Sequence, residues 1–176
     1  MTIRPRGLLP AAILTTLAAA GVAGAVAQPQ VTVGSGFPGA GIGATPAQVV
    51  RSFGTPTARD DVQLTYDRGR RAFVAFVLAS GRVREVRVNA GTFCTTNGIC
   101  MGAPNGVRRL RAAYGSARGQ VYADDGSRRL GVIRTVGGRR TSTNFVVSSL
   151  APSGRVTAIE IVRCPGLGCG PPTRPR

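Results

Sequence analysis

Two stretches of this chain, seventy-three residues apart, are written in the same pattern. Ser80-Gly81-Arg82-Val83-Arg84-Glu85-Val86-Arg87-Val88 recurs as Ser153-Gly154-Arg155-Val156-Thr157-Ala158-Ile159-Glu160-Ile161. Each begins with a Ser-Gly turn and continues as a strand, with Val83, Val86 and Val88 answered by Val156, Ile159 and Ile161. The segments that lead into them match in the same order. Gly41-Ile42-Gly43-Ala44-Thr45-Pro46 leads to Val49, Val50 and Phe53-Gly54. Gly98-Ile99-Cys100-Met101-Gly102-Ala103-Pro104 leads to Val107, Leu110 and Tyr114-Gly115. Self-similarity at this period constrains the fold more than any local propensity does. It predicts an α+β chain of two tandem repeats, 41–91 and 92–164, each a short helical element packed on an antiparallel β-meander.

The first helix carries its own punctuation. Thr45 is placed as N-cap, Pro46 as the first helical residue, and Gln48 completes a capping box. Val49, Val50 and Phe53 share a face, and Gly54 supplies the stop. In the second half Pro104 fits a helix start, and Val107, Leu110 and Tyr114 follow at spacings of three and four. Strands are expected at 62–66, 71–78, 83–88, 120–123, 129–136, 143–149 and 155–163, separated by turns that contain Gly. The Gly- and Pro-rich segments 28–40 and 165–176 read as mobile tails.

Residues 1–27 have the three parts of a secretory signal peptide. Arg4 and Arg6 are followed by an uncharged apolar run over 8–26, and Ala25-Val26-Ala27 offers small residues for cleavage before Gln28. The competing reading is an uncleaved anchor, but an Ala- and Gly-rich run containing Pro10 is marginal against a span of about 20 residues. No Cys follows the run, which excludes a lipid-modified signal, and Pro5 between the arginines argues against a twin-arginine one. After cleavage no membrane span is expected, and the mature chain would be secreted or periplasmic. That compartment permits disulfides, so Cys94, Cys100, Cys164 and Cys169 read as staples. Loop-closure entropy favours the two local pairs among three connectivities. A four-thiolate zinc site is the rival, with spacers longer than the usual two-residue knuckle.

The net charge of +16 is carried wholly by arginine, since the chain has no Lys and no His. Missing His removes the usual general base, the serine triad, the cysteine–histidine pair and most zinc catalysis; missing Lys removes Schiff-base chemistry. Among the seven acids only Asp60-Asp61 and Asp124-Asp125 are adjacent, and both pairs flank expected turns, where Asp serves the backbone. The expectation is a non-enzyme with no metal and no cofactor. Its first reading is a module that binds another exported or envelope protein through its sheet face or loops. The alternative is a binder of polyanionic envelope polymer or nucleic acid, with Arg108, Arg109, Arg111, Arg139 and Arg140 as candidate contacts. Arginines scattered singly and in pairs are equally a solvated surface written by a GC-rich genome.

Gly43-Ala44-Thr45-Pro46-Ala47-Gln48-Val49 followed by Phe53-Gly54-Thr55-Pro56 resembles the opening of BamE/SmpA-type domains, in which a Gly-x-Thr-x-x-x-Val helix ends at an apolar residue plus Gly-x-Pro. Two such units in tandem are similar to the β-lactamase inhibitory proteins, and the likeness covers 41–88 and 98–163. It implies a helix-plus-sheet unit and, as a further alternative, an inhibitor-like role. Two departures stand out: the lipid-accepting Cys of BamE-type proteins is missing, and only nine aromatics are present, none of them Trp.

Overall fold

The computed structural model describes residues 30–89, 91, 93–115, 118–121 (backbone only) and 126–165. Helix α1 (Pro46–Phe53) precedes strands β1 (Ala58–Arg59), β2 (Gln63–Asp67), β3 (Phe73–Ala79) and β4 (Arg82–Asn89). Helix α2 (Gly106–Ala113) precedes β5 (Arg118–Val121), β6 (Arg128–Val136), β7 (Arg139–Val147) and β8 (Val156–Arg163). All eight strands form one antiparallel sheet in the order β1-β2-β3-β4-β8-β7-β6-β5.

This single sheet corrects the expectation of two tandem helix-on-meander units. The seam is the β4–β8 ladder, with Glu85 opposite Val162, Val86 opposite Ile161, Arg87 opposite Glu160 and Val88 opposite Ile159. Separate meanders would each end on an apolar strand with unpaired backbone, an aggregation hazard. Pairing those two edges satisfies both and merges the apolar surfaces into one core. The free edges are instead β1 and β5, of two and four residues. Short edges of this kind are how natural sheets limit edge-to-edge association.

The local punctuation of α1 is as the sequence predicts. Thr45 Oγ1 accepts from the Gln48 N–H at 3.3 Å, Gln48 Oε1 accepts from the Thr45 N–H at 2.8 Å, and Gly54 takes φ +82°. Helix α2 differs. It begins at Gly106, two residues after Pro104, behind Asn105 in the left-handed region with no side-chain cap. Its apolar face is the predicted one, with Val107, Leu110 and Tyr114 all buried. Strand β7 begins at Arg139, because the Gly137-Gly138 turn (φ +55° and +72°) folds it straight back on β6. Arg82 and Arg155, matched residues of the two stretches, do the same work. Each donates Nη1 to the carbonyl of the glycine ahead of a helix, Gly43 at 3.0 Å and Gly102 at 2.9 Å.

Residues 30–40 are a second correction. Their Gly-rich composition predicts a mobile tail, yet Val31, Val33, Phe37 and Ala40 are core residues. Eight strands at about 4.8 Å span roughly 34 Å, while two helices of eight residues, each about 10 Å across, leave the middle of the sheet bare. The 30–40 segment fills that gap. Val31 bonds Cys94 and Thr96 through its backbone, the Gly34 N–H donates to Thr143 Oγ1 at 2.9 Å, and Phe37 packs edge-on to Phe53 and Phe93. Gly36 lies at φ +98°, where a Cβ would come within 3.2 Å of the Val86 side chain, so only glycine passes there. Of the opposite tail, only Pro165 is described; 166–176, and the signal segment, lie outside the described residues.

Candidate functional site

Strand alternation divides the sheet into two faces. The core draws Leu64, Tyr66, Val74, Phe76, Val83, Val86, Val88, Leu130, Val132, Phe145, Val147, Val156, Ile159 and Ile161 from one of them, and both helices pack there. Among the described residues no element packs on the other. A row across that open face runs Thr65, Ala75, Arg87, Glu160, Asn144, Gly131, and the next runs Gln63, Val77, Glu85, Val162, Ser142, Ile133.

The open face is built instead of merely wet. Arg129 is 8% exposed, Ser142 8% and Asn144 4%. Arg129 Nη1 reaches across β7 to the Glu160 carboxylate at 2.9 Å, although β6 and β8 are not neighbours. Glu85 is paired with Arg87. That bond, helped by the charges of Glu85 and Glu160 and offset by partial burial, holds the Arg87 pKa above its ordinary value. Ser142 Oγ donates to Asn144 Oδ1 at 3.2 Å, whereas the buried Asn144 Nδ2 has no partner among the described residues. Gly131 lies opposite Asn144, whose Oδ1 sits 3.4 Å from where a Cβ at Gly131 would be. Two cations matched by two carboxylates, around an unspent amide donor, suit hydrogen-bonded recognition.

The candidates named from sequence are not brought together. Arg108 and Arg109 are exposed on α2, and Arg111 donates to the Leu150 carbonyl at 3.3 Å. The first of them sits by the β7–β8 turn, where its N–H bonds the Pro152 carbonyl. Arg139 and Arg140 are exposed at the opposite end of β7, about 27 Å away by strand rise. The five arginines therefore form no single patch. Asp60 and Asp67 cap turn N–H groups of Val62, Gln63 and Gly69, as their positions suggest; Asp124 and Asp125 lie outside the described residues. Cys94 and Cys100 form a disulfide, Cys164 is also disulfide-bonded, and Cys169 lies outside the described residues. Nothing in the sequence singles out Arg129, Ser142 or Asn144. Parity against Leu130, Thr143 and Phe145 marks them as facing away from the core, but their neighbourhood depends on strand order.

No family model matches the chain, and no curated protein matches it. Among solved structures, one similar chain is an extracellular protein containing an SCP domain from Bacillus anthracis str. Ames, with TM-score 0.43 and 9% identity. The likeness covers 69% of this chain and spans 43% of that one. It is too slight to carry an argument about fold or function. No helix among the described residues is long and apolar enough to cross a membrane.

Proposed function

We propose that the chain is an exported, non-enzymatic binding module of the cell envelope or secreted fraction that engages another exported protein through the open face of its sheet. The observation behind this reading is the buried polar strip of Arg129, Ser142 and Asn144, with an amide donor left unspent. An unpartnered buried donor costs about 1–3 kcal/mol, and apolar residues in place of a buried ion pair are often neutral or stabilising. The Cys94–Cys100 disulfide and the signal pattern of 1–27 support a secreted or periplasmic site of action. The lack of His and Lys supports a role without catalysis. The resemblance to BamE/SmpA-type domains belongs to the same proposal, supported by the capped α1 helix that its residues form.

The test is capture of exported proteins on the immobilised chain. Wild type and an Arg108→Ala/Arg109→Ala control should retain the same protein, and an Arg87→Ala/Asn144→Val variant should release it. Retention by that variant would remove the open face as the docking surface.

A further inference from the structure

The β4–β8 seam does not run to the strand ends. Its last pair is Glu85 with Val162, whereas β3 holds β4 as far as Arg82 and β7 holds β8 as far as Arg163. The parting has a local cause. Val77 opposes Glu85 and Leu78 opposes Val83, so Arg84 is an extra, bulged residue. The bulge turns β4 away just where Arg84 would meet Arg163. The result is a wedge in mid-sheet, a cleft of about 350 Å³ lined by Ser80, Arg82, Arg84, Arg163 and Cys164 among others, and by no acid among the described residues. A small-molecule site begins at about that size.

We infer that this cleft binds a phosphate monoester. Three arginines line it, Arg82 and Arg84 from β4 and Arg163 from β8. Arg82 spends one N–H on the Gly43 carbonyl, while no side-chain hydrogen bond or ion pair occupies Arg84 or Arg163 among the described residues. The carboxylate next to Arg84 in the chain, Glu85, is already held by Arg87. Planar forks with free N–H groups match the oxygens of a tetrahedral oxyanion, and the Ser80 hydroxyl adds a neutral donor. Three positive charges with no acid in the lining favour a group carrying nearly two negative charges over a sulfate ester or carboxylate carrying one. The cleft is roomier than a bare phosphate needs, so the remaining space is left for the molecule that bears it. This site is separate from the open-face strip: it sits at the strand ends, and neither Asn144 nor Ser142 lines it.

Calorimetric titration of the intact, disulfide-bonded chain with inorganic phosphate, phenyl phosphate and acetate tests the assignment. Both phosphates should bind saturably at one site, with phenyl phosphate at least as tight as phosphate, and acetate should give no saturable heat. Arg84→Gln/Arg163→Gln should weaken phosphate binding about tenfold or more. Arg108→Gln/Arg109→Gln, with the same change in net charge, should leave it unaltered. Both target arginines are exposed, so the variant should keep its thermal transition. If it does not, Arg84→Lys/Arg163→Lys replaces it, keeping the charge and losing the fork. Equal loss in the cleft and helix variants would overturn the site as bulk electrostatics, and no saturable phosphate binding by wild type would overturn it outright.

Discussion

The same strands make both faces of this sheet, yet the two faces obey opposite rules. On the covered face Phe37, Phe53, Tyr66, Phe76 and Phe93 form one aromatic cluster, and Tyr114 stacks on Phe145 further along. The few polar groups buried there are spent: Thr143 Oγ1 accepts from Gly34 and Thr141 Oγ1 donates to the Arg134 carbonyl. On the open face Arg129 is paired with Glu160 and Ser142 Oγ with Asn144 Oδ1, but the buried Asn144 Nδ2 is left over. Burial on the first face stabilises in proportion to apolar area. Burial on the second offsets part of that gain. A face that costs stability is where selection for something other than folding shows.

The strongest way to break this contrast is to cut the covered face. Phe76 is fully buried, with ring centroids of Phe53, Tyr66 and Phe37 at 5.0, 5.9 and 6.2 Å. Phe76→Ala should lower the unfolding free energy by about 3–5 kcal/mol, read from denaturant midpoints. Because the seam joins both halves, the loss should move one cooperative transition and not split it. Two separated transitions would mean that the halves hold their own stability despite the β4–β8 ladder.

How much of this was legible in the sequence depends on the range of the interaction. Thr45, Pro46, Gln48 and Gly54 declare α1 because capping is settled within a few residues. Val86 and Val88, like Ile159 and Ile161, declare inward-facing strand positions by alternation. Their mutual pairing is not legible, because it joins residues about seventy positions apart and the period of a strand says nothing about which strand lies beside it. The packing of 30–40 is hidden for a related reason. Val31, Val33 and Phe37 sit among glycines without helical or strand period, and only the bare centre of the sheet explains their burial. The open-face strip and the cleft both depend on the β8 register, so Arg129, Asn144, Arg84 and Arg163 were beyond reach. The exposed arginine pairs on α2 and β7 were easy to see in the chain and lie at opposite ends of the fold.

Alkali should strike the covered face first. Burial holds the phenols of Tyr66 and Tyr114 above their ordinary value, although Arg68 and Arg59 pull the first back and Arg134 the second. A folded-state value above the unfolded one means that folding favours the neutral phenol. That contribution is fully present below the ordinary tyrosine range near pH 10 and is lost as pH rises through the folded values. The chain has no His and no Lys, and no free thiol among the described residues, so the side-chain types that ordinarily titrate between about pH 6 and 9 are missing there. Stability measured across that window should be level and then fall above about pH 10, together with tyrosinate absorbance. A slope inside the window would point to a titrating group outside this set.

The smallest expected effect is the sharpest test of the difference between the faces. Asn144→Val keeps the size of the side chain, removes the unspent amide and suits a strand. The change takes an acceptor from Ser142 Oγ, whose own hydroxyl can turn to water at the strip's edge. Removing a buried polar group that has no partner should be close to neutral or slightly stabilising, within about 1 kcal/mol. The same size of change at Phe76 costs several times more, so the pair measures what each face contributes to folding. A loss of more than about 2 kcal/mol at Asn144 would mean that the amide is satisfied within the folded chain, and the open face would then be a structural network with nothing left for a partner.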